Sequence, residues 1–252
     1  MLKVGWFSTG TGKGSQALLT NFYSRILDES LQSSISFVFS NREVGDNAET
    51  DMFFELVNSY HLPLETLSHK RFLINSPMTQ IQVFDRLAYD TEVMKAIAKY
   101  DVDLIVLAGY MLIVSGELSG KYKMINLHPA LPDGPKGTWR QVIKNLIDNN
   151  RQLTGTMIHL VTSDVDRGPC ISFSECDLSD LWSTYTTGVI SKQKLFDQIR
   201  GRQFLQEPTL LINTISSIAE HKIDLSTLTY YGDGARLPLP MCIEIPVEEG
   251  LR

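Results

Sequence analysis

Short unbroken apolar runs alternate with stretches of helical periodicity through the first half of the chain. Leu2 to Ser8, Ile35 to Ser40 and Val102 to Leu107 are such runs, and the last of them reads as a strand buried on both faces. Leu64 to Leu67 is a shorter one, and Met124-Ile125 leads into Asn126-Leu127-His128 before Pro129 stops it. Between them, Gln16 to Phe22, Asp51 to Tyr60 and Thr79 to Tyr100 carry helical spacing. In the last of these, Ile81, Phe84, Leu87, Ala88, Val93, Ile97 and Ala98 form an apolar stripe. Strands alternating with helices predict an α/β fold, a doubly wound and mostly parallel sheet. In such sheets ligands gather at the carboxyl ends of the strands.

Beyond residue 150 the pattern changes. Thr154 to Val161 and Pro169 to Glu175 read as strands around a turn at Thr162 to Gly168. Gln193 to Glu220 is mostly helical, with Pro208 predicted to break or kink it. Leu178 to Ser191 is rich in Ser and Thr and reads as a loop or irregular insert. From Tyr230 on, Gly232, Gly234, Pro238, Pro240 and Pro246 predict an extended, irregular tail. The expectation is a single domain over 1–252, with an N-terminal half (1–110), a second half (111–230) and the tail (231–252).

Composition excludes several functional classes. No window approaches the roughly 18 apolar residues that a membrane span needs, and the N-terminal run reads as a strand and not as a secretory leader. The formal charge of −6, from 23 basic and 29 acidic side chains, argues against a nucleic-acid partner. Cys170, Cys176 and Cys242 are odd in number and lack ligand spacing, which predicts free thiols in a reducing cytoplasm and no metal.

The candidate chemistry lies at predicted strand ends. Residues i and i+2 of a strand point to one side, so the carboxamide of Asn126 and the imidazole of His128 can face one volume. An amide N–H can hold a developing oxyanion and a histidine can move protons near neutral pH. Gly10-Thr11-Gly12-Lys13-Gly14-Ser15 matches neither a Walker loop nor the dinucleotide fingerprint. Backbone N–H groups ahead of a helix, with one lysine, still make a phosphate cradle. Taken alone, Asp166 reads as a turn residue, His159 as a packed histidine, and Trp139 as packing at the start of a helix. Met111 beside Tyr110 suits either a pocket for an aromatic ligand or core filling.

Asn126-Leu127-His128-Pro129 together with Asp164-Val165-Asp166-Arg167-Gly168-Pro169 resembles the folate-dependent formyltransferases, and most of all their phosphoribosylglycinamide branch. Ser40-Asn41-Arg42, Arg86 to Asp90, Asp103 to Met111 and Asp233 to Pro238 extend the likeness over nearly the whole chain. The resemblance implies a fold of the formyltransferase type. It also implies formyl transfer from 10-formyltetrahydrofolate, as co-substrate and without a metal, to the amine of glycinamide ribonucleotide in purine biosynthesis. Asn126, His128 and Asp166 match the catalytic residues, with Asp166 the carboxylate that sits against the histidine. Gly12, Lys13, Gly14 and the adjoining Ser15 fall where the family holds the acceptor's phosphate. Arg86 falls where the folate's glutamate tail is met, while Met111, Leu112, Ile113 and Val114, with Asn126, fall on the folate side.

The chain also departs from the family. Leu112 stands where an arginine is common, and the glycine loop is one residue longer, with Lys13 inserted. The loop Ala130 to Thr138 is shorter. The sugar-binding carboxylate aligns with Gln203, and Glu207 lies one turn on. These changes leave open another amine acceptor, such as an aminosugar nucleotide, and hydrolysis of the formylfolate by water. A deformylase is expected to carry an extra domain ahead of the catalytic one, and a transformylase of methionyl-tRNA a basic carboxyl domain. The expected partners are thus small molecules, a phosphorylated amine and a folate, with neither nucleic acid nor membrane; a homodimer is the assembly to consider.

Overall fold

The computed structural model describes residues 1–75 and 86–245. Along the chain the elements are β1 (Leu2–Phe7), α1 (Gly12–Leu27), β2 (Ser33–Ser40), α2 (Ala48–Ser59), β3 (Leu64–Thr66), α3 (His69–Asn75), α4 (Arg86–Ile97), β4 (Leu104–Leu107), α5 (Gly116–Lys121) and β5 (Met124–His128). They continue with α6 (Trp139–Asp148), β6 (Leu153–Leu160), β7 (Cys170–Asp177), α7 (Ser179–Thr186), α8 (Lys192–Ala219), β8 (Ile223–Asp224), β9 (Thr229–Gly232), β10 (Ala235–Pro238) and β11 (Met241–Cys242). The chain divides into two compact units, one of Met1–Asn126 with Leu160–Gly168, the other of Leu127–His159 with the chain from Pro169 on.

In the first unit the strands lie in the order β5-β4-β1-β2-β3, every neighbouring pair parallel. This is the expected parallel α/β arrangement. Phe7, Phe37, Phe39, Tyr89, Ile105 and Leu107 are buried together in its core, and Phe7 lies 4.7 Å from Phe39 and 5.3 Å from Tyr110, ring centre to ring centre. Helix α1 begins at Gly12, so the glycine stretch supplies its first turn instead of preceding it. Only Arg86 to Ile97 of the expected Thr79–Tyr100 helix is seen as α4, and residues 76–85, with Ile81 and Phe84, lie outside the described residues. Leu87 is exposed, so the buried face of α4 is set by Tyr89, Asp90, Val93 and Ile97.

In the second unit β6 pairs antiparallel with β7, and β11 lies parallel to β7. Three expectations are corrected here. The stretch Leu178–Ser191 is not irregular, because it holds α7, whose Leu181 and Trp182 are buried with Leu178 while Tyr185 packs against them. That i, i+3, i+4, i+7 spacing is a helical stripe which the Ser and Thr content had masked. Helix α8 runs unbroken through Pro208. A proline there removes the hydrogen bond to the Phe204 carbonyl, a cost of about 3 kcal/mol, but Leu195 and Ile199 before it and Leu210, Leu211 and Ile215 after it are buried and hold both halves. Between Tyr230 and Cys242 the expected irregular tail holds strands instead: β9 and β10 form a hairpin through Asp233 (φ 51°) and Gly234 (φ 77°), and β9 pairs with β8, while residues 246–252, with Pro246, lie outside the described residues. Two successive residues at positive φ make the tight turn whose twist matches a hairpin, which is why Asp-Gly suits it.

Helix α6 starts with a reciprocal cap, in which the Gln141 N–H donates to the Thr138 hydroxyl and the Thr138 N–H to the Gln141 side-chain oxygen. Thr138→Ala is expected to lower stability by about 1 kcal/mol, a fall in Tm of roughly 2–4 °C by thermal denaturation. All three cysteines are free thiols. Burial pushes the Cys170 thiol up to about 12 and that of Cys176 to about 11, so neither ionises near neutral pH. Among the described residues no helix is long and apolar enough to cross a membrane.

Candidate active site

The glycine loop is tied down by Thr9, a buried residue at the carboxyl end of β1. Its N–H donates to the Gly109 carbonyl (3.1 Å), its carbonyl accepts from the Thr50 hydroxyl (3.2 Å), and its own hydroxyl accepts from the Met111 N–H (2.9 Å). Gly10 and Gly12 then turn the chain at φ 70° and 81° into α1. Thr11, the residue capping α1, makes no side-chain cap, and the first turn holds no acidic residue. The unpaired N–H groups of that turn and the helix dipole therefore favour an anion. Lys13 is exposed beside them, and the buried Ser15 hydroxyl donates to the Thr11 carbonyl (3.3 Å).

Arg86 opens α4, with its guanidinium 3.8 Å from the carboxylate of Asp90 one turn on. Asp90 is fully buried and accepts the Ser115 N–H at 2.6 Å. Burial raises the proton affinity of its carboxyl, against the lowering effect of the Ser115 hydrogen bond and of Arg86. The neighbouring hydroxyls of Tyr89 and Tyr110 are also pushed up by burial. The segment from Met111 to Val114 thus runs between a hydroxyl acceptor at one end and a carboxylate at the other. Along it Met111 and Ile113 are exposed, Leu112 is half-buried and Val114 is buried.

Strand β5 carries Asn126 and His128 at alternate positions, so their side chains leave the same face of the strand. His128 is buried, and its Nε2 lies 3.1 Å from the Pro135 carbonyl oxygen. A carbonyl only accepts, so that nitrogen carries a proton. His159, buried as expected of a packed histidine, meets the His128 ring edge-on at 6.5 Å between centres. The next carbonyl, of Pro129, accepts from the Gln203 amide at 2.8 Å, and the same amide reaches the Thr154 hydroxyl at 3.3 Å. Gln203 is fully buried in α8. Glu207, also buried, pairs with Arg200, whose guanidinium lies 5.1 Å from the centre of the Trp139 ring. Trp139 itself packs at the start of α6, as expected.

Asp166 sits half-buried in the turn between β6 and β7 at φ 51°, a left-handed conformation that aspartate tolerates better than most residues. The turn is closed by the Arg167 N–H on the Asp164 carbonyl (3.2 Å), and it leaves β6 where the Val161 N–H donates to the Met124 carbonyl of β5 (2.9 Å). Gly168 ends it against the Leu160 carbonyl, with no room for a side chain.

Within the first unit the structure links the glycine loop to Met111 through Thr9, Arg86 to the 111–115 segment through Asp90, and the root of the Asp166 turn to β5. Within the second it links His128 to the loop at Pro135 and Gln203 to Pro129. Sequence reasoning had not singled out Thr9 or Asp90. A signal for Asp90 was present: it shares the helical stripe of Tyr89, Val93 and Ile97, where a carboxylate has no reason to be unless something there needs it.

The family described as formyl transferase matches residues 2–193. The phosphoribosylglycinamide formyltransferase of Escherichia coli (strain K12) is 30% identical over 155 residues, 61% of this chain and 66% of that protein. The trifunctional purine biosynthetic protein adenosine-3 of Bos taurus is 28% identical over 174 residues, which span 67% of this chain but 15% of that protein's length. Among solved structures, glycinamide ribonucleotide transformylase 1 from Symbiobacterium toebii superposes with a TM-score of 0.68 at 20% identity, over 89% of this chain and 91% of that one, a likeness of fold. The match across more than half of its length shows that this chain belongs to the formyl transferase family.

Proposed function

We propose that the chain transfers the formyl group of 10-formyltetrahydrofolate to the amine of glycinamide ribonucleotide, in a reducing cytoplasm. The observation that carries this reading is the pairing of Asn126 and His128 on one face of β5, at the end of a parallel strand. The amine attacks the formyl carbon, giving a tetrahedral species with a negative oxygen. A proton passes from the incoming amine to the departing folate nitrogen as the old C–N bond breaks. Asn126 donates its amide N–H to that oxygen, and His128 carries the proton, directly or through a water. Asp166 is the carboxylate assigned to balance the positive charge that develops during this proton transfer.

Gly12, Lys13, Gly14 and Ser15 hold the acceptor's phosphate at the start of α1, which the uncapped, acid-free first turn supports. Gln203 serves the acceptor side by fixing Pro129 next to His128, and Glu207 by holding Arg200. Arg86 and the segment Met111, Leu112, Ile113 and Val114 receive the folate. No step asks for a metal.

The test is incubation with 10-formyltetrahydrofolate and a panel of amines, following tetrahydrofolate release optically. Release that depends on glycinamide ribonucleotide is expected. Release with no amine would make the chain a hydrolase, and release with another amine alone would move the acceptor.

A further inference from the structure

We propose that Asp90 is a positioning residue for the formyl donor, holding the backbone of residues 111–115 in the path that receives the folate. This rests on the reading of Met111 to Val114 as the folate segment. The case for it is geometric. Asp90 has no exposed surface, and its Oδ2 accepts the Ser115 N–H at 2.6 Å, the short distance of a charge-assisted bond. Ser115 in turn caps α5, its hydroxyl accepting from the Leu118 N–H at 3.2 Å. At the other end of the segment, Met111 is held by Thr9. Between these two anchors the N–H groups of Leu112, Ile113 and Val114 donate no hydrogen bond among the described residues. Their positions are therefore set from the ends, and the anchor at Ser115 is a carboxylate on a neighbouring helix.

A buried carboxylate is costly, and an apolar residue in the same helical stripe would pack better. Its second oxygen, Oδ1, faces Arg86 at 3.8 Å, too long for a hydrogen bond but close enough for attraction. One side chain thus addresses both the backbone of the folate segment and the cation assigned to the folate tail. Among the described residues Oδ1 is buried without a hydrogen-bond partner, so the carboxylate is not there to complete a saturated local network.

The experiment compares the parent chain with Asp90→Ala and Asp90→Asn, measuring the Kd for 10-formyltetrahydrofolate without amine, the KM of the amine, and hydrogen exchange at the Ser115 N–H. Asp90→Ala is expected to weaken folate binding about 10- to 100-fold, the range for a lost hydrogen bond to a charged group, and to deprotect the Ser115 amide. The amine KM should stay within about twofold, since the hydrogen bond and ion pair of Asp90 are to Ser115 and Arg86, both on the folate side of the proposed reading. Asp90→Asn keeps an oxygen for the Ser115 N–H, so it should hold the exchange protection and lose less affinity. Folate affinity unchanged in Asp90→Ala, or donor and amine constants rising together, would overturn the proposal. If Asp90→Ala does not fold, Asp90→Asn decides: lost protection at Ser115 with unchanged folate affinity also overturns it. A parent chain that binds no folate would overturn the reading of the segment itself and this proposal with it, a result separate from any difference among the variants.

Discussion

Asn126→Ala is expected to lower the rate constant for formyl transfer by about 10²- to 10³-fold, the usual cost of removing one well-placed oxyanion donor. The loss should fall on kcat and kcat/KM together, with the Kd of each substrate little changed, because the interaction exists only once negative charge develops on the formyl oxygen. His128→Asn removes the proposed proton carrier and is expected to cost about 10²- to 10⁴-fold. Combining the two should cost much less than the product of the single effects, since in the proposed mechanism both serve one tetrahedral species. Single-turnover kinetics at saturating folate and amine separates chemistry from binding. An Asn126→Ala chain that keeps its single-turnover rate and loses only affinity would remove the amide from the proposed mechanism.

The second large effect is expected at a residue outside the proposed catalytic and binding set. A Cβ at Gly168 would stand 1.7 Å from the carbonyl oxygen of Leu160. That atom is backbone and has no rotamer to move into, so the turn from 161 to 168 must shift as a body, carrying Asp166 with it. Gly168→Ala should therefore lower Tm by roughly 3–10 °C, the equivalent of about 1–3 kcal/mol of overpacking, and activity should fall further than stability alone explains. Gly201→Ala is the control of opposite sign. Gly201 lies inside α8 with nothing within 4 Å of an added Cβ, so alanine should stabilise by up to about 1 kcal/mol through helix propensity. Thermal denaturation of the two variants side by side reads both signs. Equal, small shifts would show that the Asp166 turn yields freely.

How much of this was legible beforehand follows from where each signal is written. Strand β4 is apolar and buried at every position, and β1 and β2 are buried over Val4–Phe7 and Phe37–Ser40, so their apolar runs stand out. Helix α7 and the β9–β10 hairpin were missed because their determinants are few: a stripe of four residues in a polar stretch, and one Asp-Gly pair among prolines. Pro208 misled because a local penalty was weighed without the buried faces on either side of it. In the site, Asn126 and His128 were visible because their relation is local, two positions on one strand. Asp166, read alone, was an ordinary turn residue, and only its resemblance to a family motif singled it out. Asp90 depends on Ser115, 25 residues away in the chain, and no window of sequence contains that bond.

The bond between His128 and Pro135 decides which end of the ring is free to act in the proposed transfer. While it stands, the neutral imidazole keeps its hydrogen on Nε2, and its basic lone pair belongs to Nδ1. The acceptor of that hydrogen is a main-chain oxygen, so replacing the Pro135 side chain leaves it in place. Only a change in the course of the loop withdraws it. A segment given no chemical role in the proposed transfer thereby chooses the tautomer, and a change in its length would exchange the acidic and basic poles of the same histidine without altering the ring.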